Sequence, residues 1–479
     1  MLVTTALAYL PSLAGGWLNW DDPWLVRDNP LLAQARWSDL WTILTDLSRP
    51  TRLALGAEYL PLRDLSYLFE SRFFGLSPAV LRIDNLLIYL LALLLLRRAL
   101  RALMSDPRIA ELAIWIFALA PVHVESVAWI AGRKDLVALL CVSAAFSVYA
   151  RRSRSAWLFT ALLLALSMLG KSMSIAAVAL LPMLDLLAHR RPDPKALVLS
   201  SIAVALVLSV QLYVGRLVGM AAAPAGGTML TALATMGPVW LRYLYCLLWP
   251  GALSLVHDVP TRTSFDAWSI MGYGVVVLWL AVAAMHLKKK QQPWLLAGWL
   301  AFVVPLLPVS QILFSLQNRM ADRYLWLSAL APALLLAGLI SRFRRAGWVI
   351  SVGFLVLCGA GTAQRANLFG DSALVFADAT AKTRTSTAAP YQLAMAYEAM
   401  GDDARARAAY RNLLERSNVG EPVRRATNNL ARLEARHGHW REAERVLRRG
   451  LKHFADDAKM RDNLQKVLEH LAATRGSAP

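Results

Sequence analysis

Charged residues are scarce in this sequence: Asp, Glu, Lys and Arg together make up 17% of the chain, against about 25% in ordinary soluble domains. Hydrophobic residues reach 57%, and the mean hydropathy is +0.44. A soluble chain of 479 residues would need many more polar side chains to cover its cores. The composition therefore predicts that most of the protein lies in a lipid bilayer, and it excludes collagen-like and disordered classes.

Cysteine is also scarce, and several ligand-binding motifs are missing. Three cysteines, Cys141, Cys246 and Cys358, each lie in an apolar run, which is too few for a disulfide framework. The sequence contains no Walker loop, no dinucleotide-binding fingerprint and no zinc-ligand spacing. We therefore expect no metal and no cofactor, and neither ATP-driven transport nor metal-dependent hydrolysis.

The net charge of +19 would suit a protein that binds nucleic acid. In membrane proteins, however, Lys and Arg gather in cytoplasmic loops and beside anionic lipid headgroups. The charge therefore favours membrane lipids as partners and no nucleic acid.

The composition changes near Gly370. Residues 371–479 hold 19 Lys and Arg and 14 Asp and Glu in a polar sequence, whereas residues 1–370 consist mainly of apolar runs with short connections. This change predicts a membrane domain over 1–370 followed by a soluble domain over 371–479.

Twelve apolar runs are candidates for membrane spans, each of which needs roughly 20 residues. No Lys or Arg precedes the first run and no cleavage site follows it, so we expect an uncleaved first span. The runs lie near 2–18, 79–100, 109–122, 127–150, 156–170, 172–188, 196–218, 230–250, 268–287, 293–308, 323–341 and 346–364.

Basic clusters predict the orientation, because such clusters remain cytoplasmic. Arg97-Arg98, Arg151-Arg152 and Arg190-Arg191 follow the second, fourth and sixth runs. The later clusters, Lys288–Lys290 and Arg342–Arg345, stay on the same side only if 230–250 does not cross. We therefore predict eleven spans in a multi-pass protein of the bacterial inner membrane, with its C-terminal domain outside the cytoplasm.

The C-terminal sequence predicts paired helices with a repeat. Small and apolar residues around Gly401 recur 37 residues later around Gly438 in the order expected for tetratricopeptide repeats. The repeats would cover about 390–420 and 427–457, with a capping helix over about 457–473. The alternative is a plain helical bundle.

Two adjacent carboxylates, Asp21 and Asp22, follow the first apolar run. Adjacent carboxylates repel, which raises the pKa of one and leaves the other as a usable base. Such a base could deprotonate or orient an acceptor hydroxyl. The alternative is a solvated start of a loop among aromatic anchors.

Further ionisable residues interrupt the apolar runs, where they are costly to place and mark a functional site by default. The cations among them have no matching acids nearby in the sequence, which suggests a phosphate site. The alternative is that some of these residues form structural ion pairs with each other. The residues are His123, Glu125, Arg133, Asp135, Lys171, Arg319, Asp322, Arg323 and Tyr324. Chemistry outside the cytoplasm without a nucleotide needs a donor that is already activated, and a lipid-linked sugar phosphate meets that need.

These motifs, in the order in which they occur, resemble those of a known family. The motifs are Asp21-Asp22, Tyr59–Leu62, the run from Pro121 to Asp135, the segment Asp322–Leu327 and the terminal repeats. Together they resemble the transmembrane and tetratricopeptide-repeat-containing O-mannosyltransferases, which have the C-type glycosyltransferase fold. The resemblance covers nearly the whole chain and implies an all-α membrane bundle of about eleven spans.

The resemblance also implies a mechanism. A mannose-like hexose would pass from a polyprenyl-phosphate carrier to a hydroxyl group of a protein acceptor by an inverting, metal-independent displacement. Asp21 or Asp22 would be the catalytic base. Lys171, Arg323 and Arg133 would bind the donor phosphate. His123, Glu125, Asp135, Arg319, Asp322 and Tyr324 would support the site, and the repeats would hold the acceptor.

The sequence departs from the family pattern at three points. Ser172 follows Lys171 where the family usually has an acid, Leu60 follows Tyr59 where it generally has Arg, and the repeat array is shorter than in animal members. Two other functions fit: a related transferase that modifies an envelope lipid or glycan, and a non-enzymatic membrane scaffold whose repeats bind a partner.

Overall fold

The computed structural model describes residues 1–220, 222–289, 293–312 and 315–476. These residues form helices and connecting turns, and no strand occurs among them. The chain divides into two compact units. The first comprises Met1–Leu253 and Val259–Gly370, and the second comprises Ser254–Asp258 and the chain from Asp371 onward. Lys290, part of a predicted cytoplasmic cluster, lies outside the described residues.

The segment before α6 (Pro78–Leu103) consists of short helices. Proline begins several of its helices, where its fixed φ and missing N–H carry no penalty. The helices are α1 (Leu2–Leu13), α2 (Pro30–Gln34), α3 (Trp37–Thr45), α4 (Arg49–Ala54) and α5 (Pro61–Phe74).

The rest of the first unit contains the remaining apolar runs. The helices are α6 (Pro78–Leu103), α7 (Pro107–Ala118), α8 (Val124–Ala128), α9 (Arg133–Arg151), α10 (Ala156–Gly170), α11 (Ala176–Leu187), α12 (Pro194–Val218), α13 (Met229–Leu248), α14 (Ala267–Lys289), α15 (Pro293–Val303), α16 (Leu330–Ile340) and α17 (Arg344–Leu368).

Four helices in the described residues are long and apolar enough to cross a membrane, namely Pro78–Leu103, Pro194–Val218, Ala267–His286 and Ala346–Leu368. A fifth candidate is the pair Pro107–Ala118 and Pro121–Ala128, bent by 45°. Five shorter apolar helices accompany them. These helices indicate a membrane protein, while the count of eleven spans stays a prediction. The segment 230–250, now α13, is not among the four, and its path relative to the membrane also stays a prediction.

Some predicted runs begin or end in 3₁₀ turns where polar residues or prolines occur. Lys171 has extended backbone between α10 and the 3₁₀ turn that precedes α11. The run 293–308 ends as α15 followed by a 3₁₀ turn that holds Pro305 and Pro308, because proline removes a helix hydrogen bond. The 3₁₀ turns Ser172–Ile175 and Asp322–Leu325 both contact the turn Val304–Val309, so these helix ends meet in one region.

The second unit consists of successive helices, each packed on the next. Gly401 and Gly438 have φ of +75° and +80°, a conformation that favours glycine, and each makes the turn inside a helix pair. Gly450 lets the helix Trp440–Leu451 approach Thr427, since a Cβ there would lie 2.5 Å from the Thr427 Cγ2. The helices are α18 (Ser372–Lys382), α19 (Ala388–Ala399), α20 (Asp403–Arg416), α21 (Glu421–Arg436), α22 (Trp440–Leu451) and α23 (Ala458–Gly476). Their assignment as tetratricopeptide repeats stays a prediction.

Candidate active site

Asp22 is a fully buried carboxylate that holds two segments together. Its Oδ2 accepts a hydrogen bond from the Leu18 N–H at 3.0 Å, and its Oδ1 accepts one from the Ala131 N–H at 3.1 Å. Burial raises the pKa of Asp22 to about 7, against the opposing effect of these two N–H donors. Asp22 therefore ties the loop after α1 to the turn before α9, with both oxygens occupied.

Asp21, its neighbour, is only partly buried. Burial raises the pKa of Asp21, while the positive charges of Lys134 and Arg323 act in the opposite direction. The sequence left the roles of the two carboxylates open. The structure distinguishes them, because Asp21 is partly exposed and lies near two cations, whereas Asp22 is fully buried.

Arg323 forms a buried ion pair with Glu125. The Arg323 Nη1 contacts the Glu125 Oε1, and the Arg323 backbone N–H donates to Oε2 at 3.0 Å. The guanidinium lies 5.4 Å from the centre of the Trp129 ring and 5.6 Å from that of Tyr324. This pair joins the turn before α16 to α8, although the two residues are 198 positions apart.

Lys171 also has an acidic partner. Its Nζ contacts the Asp135 Oδ1, and Asp135 Oδ2 accepts a hydrogen bond from the Ser126 hydroxyl at 3.2 Å. The ammonium lies 5.5 Å from the centre of the Tyr324 ring, so Tyr324 contacts both Lys171 and Arg323. The expectation that these cations lack matching acids is therefore wrong, because the acids come from distant parts of the chain.

Arg133 is enclosed on every side and has 1% of its surface exposed. Its guanidinium contacts Glu70, donates to the Asn85 Oδ1 at 2.7 Å and to the Leu81 carbonyl at 2.8 Å, and lies over the Tyr67 ring. These contacts connect the start of α9 to α5 and α6. The geometry gives Arg133 a structural position, so it does not support the predicted contact with a donor phosphate.

Two charged residues that were not predicted as site residues, Lys134 and Glu58, affect the pKa of Asp21. The Lys134 Nζ is 3.0 Å from the Glu58 Oε2, which also lies 3.1 Å from the Arg63 Nη1. Burial acts to raise the pKa of Glu58, but Lys134 and Arg63 together lower it to about 2. Lys134 keeps 21% of its side chain exposed and Glu58 keeps 32%. Both residues stand next to motifs that the sequence already indicated, because Glu58 precedes Tyr59 and Lys134 follows Arg133.

The other predicted site residues occupy separate positions. His123 is buried with its ring 4.4 Å from Phe117 and 5.5 Å from Tyr89. Arg319 donates at 2.8 Å to the Val259 carbonyl and to the Thr261 hydroxyl. Buried Asp322 pairs with Arg365 at 2.6 Å. Arg319 and Asp322 are thus bonded to partners outside the ion pairs described above, and His123 packs against aromatic rings.

Seven residues thus form one connected electrostatic group, which we call the charged cluster. Its acids are Asp21, Glu58, Glu125 and Asp135, and its cations are Lys134, Lys171 and Arg323. Each cation faces an acid, and Asp21, Glu58 and Lys134 are the more exposed members. A cation in such a pair can bind an incoming anion either in place of its carboxylate partner or together with it.

The chain is 29% identical to the protein O-mannosyl-transferase TMTC2 of Mus musculus over 208 residues. The matched region is 40% of this chain and 24% of the mouse protein, so the chain spans about a quarter of the length of this curated relative. No family model and no solved structure matches the chain. The similarity is partial, and it supports a relationship to this group of proteins and a role of the glycosyltransferase kind.

Proposed function

We propose that this protein is a membrane glycosyltransferase that moves a mannose-like hexose from a polyprenyl-phosphate carrier to a hydroxyl group of a protein acceptor on the extracytoplasmic face. The observation that carries the proposal is the position of Asp21, a partly exposed carboxylate whose pKa burial raises and the nearby charges of Lys134 and Arg323 act to lower. A base next to cations is what transfer from a sugar phosphate to a hydroxyl requires. The similarity to the mouse O-mannosyl-transferase supports the same reaction class.

Asp21 acts as the general base in this proposal. The acceptor oxygen attacks the anomeric carbon as its proton moves to the Asp21 carboxylate, and the bond from that carbon to the phosphate oxygen breaks. The phosphate leaves with the electron pair on the side opposite the attack, so the configuration inverts. No metal takes part. Asp22 keeps Asp21 in place through its bonds to Leu18 and Ala131.

Lys171, Arg323 and Lys134 stabilise the negative charge of the departing phosphate. Lys134 replaces Arg133 in this role, because Arg133 uses its donors on Glu70, Asn85 and Leu81. Glu58 pairs with Lys134 in the unliganded protein, so the phosphate must compete with Glu58 for this cation. The paired helices of the second unit hold an extended acceptor polypeptide, as repeat surfaces do.

The test is turnover of a radiolabelled polyprenyl-phosphate mannose by the purified full-length protein, with donor binding measured in parallel. Asp21→Asn keeps the size of the side chain and removes its basicity, so transfer should fall to about 1% or less while donor binding persists. Asp28→Asn is the matched control, since Asp28 is an exposed acid of the same loop that pairs with Arg27. Parental turnover in Asp21→Asn would contradict the proposed base.

The acidic limb of the rate profile gives a second readout. The base must be ionised, and burial raises its pKa, so activity should decline with falling pH from a point above the usual Asp value of about 4. If sugar were transferred to an envelope lipid but to no polypeptide, the proposed reaction class would stand and the proposed protein acceptor would be wrong. Binding of the acceptor without any transfer would favour a scaffold.

A further inference from the structure

A groove on the second unit runs between α20 and α22. Both helices pack against α21, and the space between them holds a cavity of about 210 Å³ that continues into a more open hollow of about 540 Å³. Arg411, Glu442 and Arg445 line both spaces, so the two spaces form one continuous groove. We call it the arginine groove.

The floor of the arginine groove is apolar. Val423 and Leu430 are buried on one face of α21, seven residues apart, and the partly buried side chains of Leu414, Val446 and Phe454 complete the lining. An apolar side chain that entered this cavity would remove both itself and the lining from water, which is favourable. The floor therefore favours a ligand that carries an apolar side chain.

Arginines surround this floor, and two of them contact no carboxylate in the described part of the chain. Arg449 is exposed, and its guanidinium lies 3.4 Å from the Leu414 carbonyl oxygen on the other side of the groove. Arg441 is exposed about two turns before it on α22, beside the more open hollow. Glu415 is an exposed acid on the α20 side. The two guanidinium groups thus offer donors to an anion along the length of α22.

The other charges of the groove do not cancel this positive charge. Arg411 contacts the carboxylate of buried Glu434, which Arg407 also contacts, so this group keeps one positive charge in excess. Arg445 pairs with Glu442 at 2.5 Å, within one turn of α22. The arginine groove therefore combines an apolar floor with a positively charged rim.

We propose that the arginine groove binds an acidic segment of another polypeptide. An apolar side chain of that segment occupies the cavity, and its carboxylates contact Arg441 and Arg449. Charge complementarity identifies the occupant, because carboxylates make bidentate contacts with arginine, whereas a basic segment would be repelled by the rim.

The position of the groove separates it from the other face of the second unit. It lies on the side of α20 and α22, the second helices of the pairs, and not on the side where α19 and α23 contact α21. The inference does not rest on the proposed transfer reaction, because it follows from the lining of the groove and its charges.

The test measures binding of a short fluorescent peptide to the purified full-length protein by fluorescence anisotropy. The peptide consists of glutamate and aspartate around a central leucine–phenylalanine pair. Arg441→Glu combined with Arg449→Glu reverses the charges of the groove. Lys459→Glu combined with Arg461→Glu is the matched control, because it changes the net charge equally at exposed positions of α23 that do not line the groove.

We expect the groove variant to bind the peptide at least about tenfold more weakly, since charge-assisted hydrogen bonds are replaced by like-charge repulsion. The control variant should bind within about twofold of the parent, because exposed charges outside a contact contribute little. Equal losses in both variants would show that overall charge alone attracts the peptide and would overturn the proposal. A parent that binds no peptide would overturn it too, because another part of the protein or a second copy would then cover the groove.

Two further peptides test the floor and the rim without any change to the protein. Serine in place of the leucine–phenylalanine pair should weaken binding to the parent severalfold, and lysine in place of the acids should abolish it. Equal binding of all three peptides would overturn the proposal, even if the groove variant failed to fold, which its melting temperature shows. No donor sugar is present and Asp21 is unchanged, so failure here is distinct from failure of the proposed transferase.

Discussion

At the scale of single residues, Asp21 and Asp22 differ in what their oxygens can do. Both oxygens of Asp22 accept backbone N–H donors within a buried setting, so no oxygen remains for a substrate. Asp21 is partly exposed near Lys134. In our proposal Asp21 therefore acts in catalysis and Asp22 in positioning, so substitutions of the two residues should have different effects.

Asp22→Asn should destabilise the fold. The amide keeps one acceptor oxygen but directs its N–H₂ at a second backbone donor, which leaves a buried polar group unsatisfied at a cost of about 1–3 kcal/mol. The melting temperature of the purified protein should fall for Asp22→Asn and remain at the parental value for Asp21→Asn. Equal melting temperatures for both variants would show that the two contacts of Asp22 carry no stability.

The contribution of Arg323 to donor binding can be measured only in a variant in which its partner Glu125 is also changed. Arg323→Gln leaves Glu125 buried without its cation, which costs about 3–5 kcal/mol, so loss of binding in that variant could simply reflect unfolding. Combining Arg323→Gln with Glu125→Gln removes both charges and should restore the melting temperature.

Donor affinity of this double variant should still be weaker by about 1.5–3 kcal/mol, the value of a hydrogen bond to a charged group. Binding of a polyprenyl phosphate by the parent and the double variant measures the difference. Parental affinity in the folded double variant would place the phosphate away from Arg323.

At the scale of elements, close approach of backbones positions α13 beside α14. The Ser269 hydroxyl donates to the Ala234 carbonyl at 2.7 Å, and the Tyr273 hydroxyl donates to the Leu233 carbonyl at 3.0 Å. A Cβ on Gly272 would lie 1.8 Å from the Gly237 carbonyl oxygen. Small residues are enriched at membrane helix contacts for this reason.

Gly272→Val should therefore separate α13 from α14 and lower the melting temperature. Overpacking of a tight contact typically costs about 1–3 kcal/mol. Gly274→Val is the matched control, because a Cβ at Gly274 meets nothing within 4 Å. If both variants melt alike, the contact between these two helices is looser than the structure shows.

Periodicity and hydropathy locate the long helices well, and they locate the broken ones poorly. The runs 79–100 and 196–218 became single helices because each begins with proline at the first turn and contains no breaker. The run 323–341 became a 3₁₀ turn and then α16, and the Arg323 backbone N–H at the start of that turn donates to Glu125. Nothing local in the sequence shows that bond.

At the scale of the whole molecule, most members of the charged cluster could be named from the sequence, but the pairing between them could not. A charged residue in an apolar run is visible as a departure from composition, which is why Lys171 and Arg323 could be named. Their acids, Asp135 and Glu125, depend on which helix ends meet in three dimensions. Lys134 was missed because it stands beside Arg133, and only packing shows that Arg133 faces inward while Lys134 reaches Glu58.

The topology of the whole chain depends on one segment, 230–250. If α13 does not cross the membrane, the clusters Lys288–Lys290 and Arg342–Arg345 stay cytoplasmic, in agreement with the preference of basic residues for that side. The second unit then lies outside, where the proposed acceptor is. If α13 crosses, both clusters move outside and the second unit moves inside.

Reporter proteins inserted at Gly227 and at Thr263 flank α13 and test this directly. We expect a reporter that is active only outside the cytoplasm to be active at both positions and also at Asp371. A reporter active only in the cytoplasm, inserted at Arg191, should be active there as the opposite control. Opposite results at Gly227 and Thr263 would mean that α13 spans the bilayer. The eleven-span topology would then be wrong, and the second unit could meet only cytoplasmic partners.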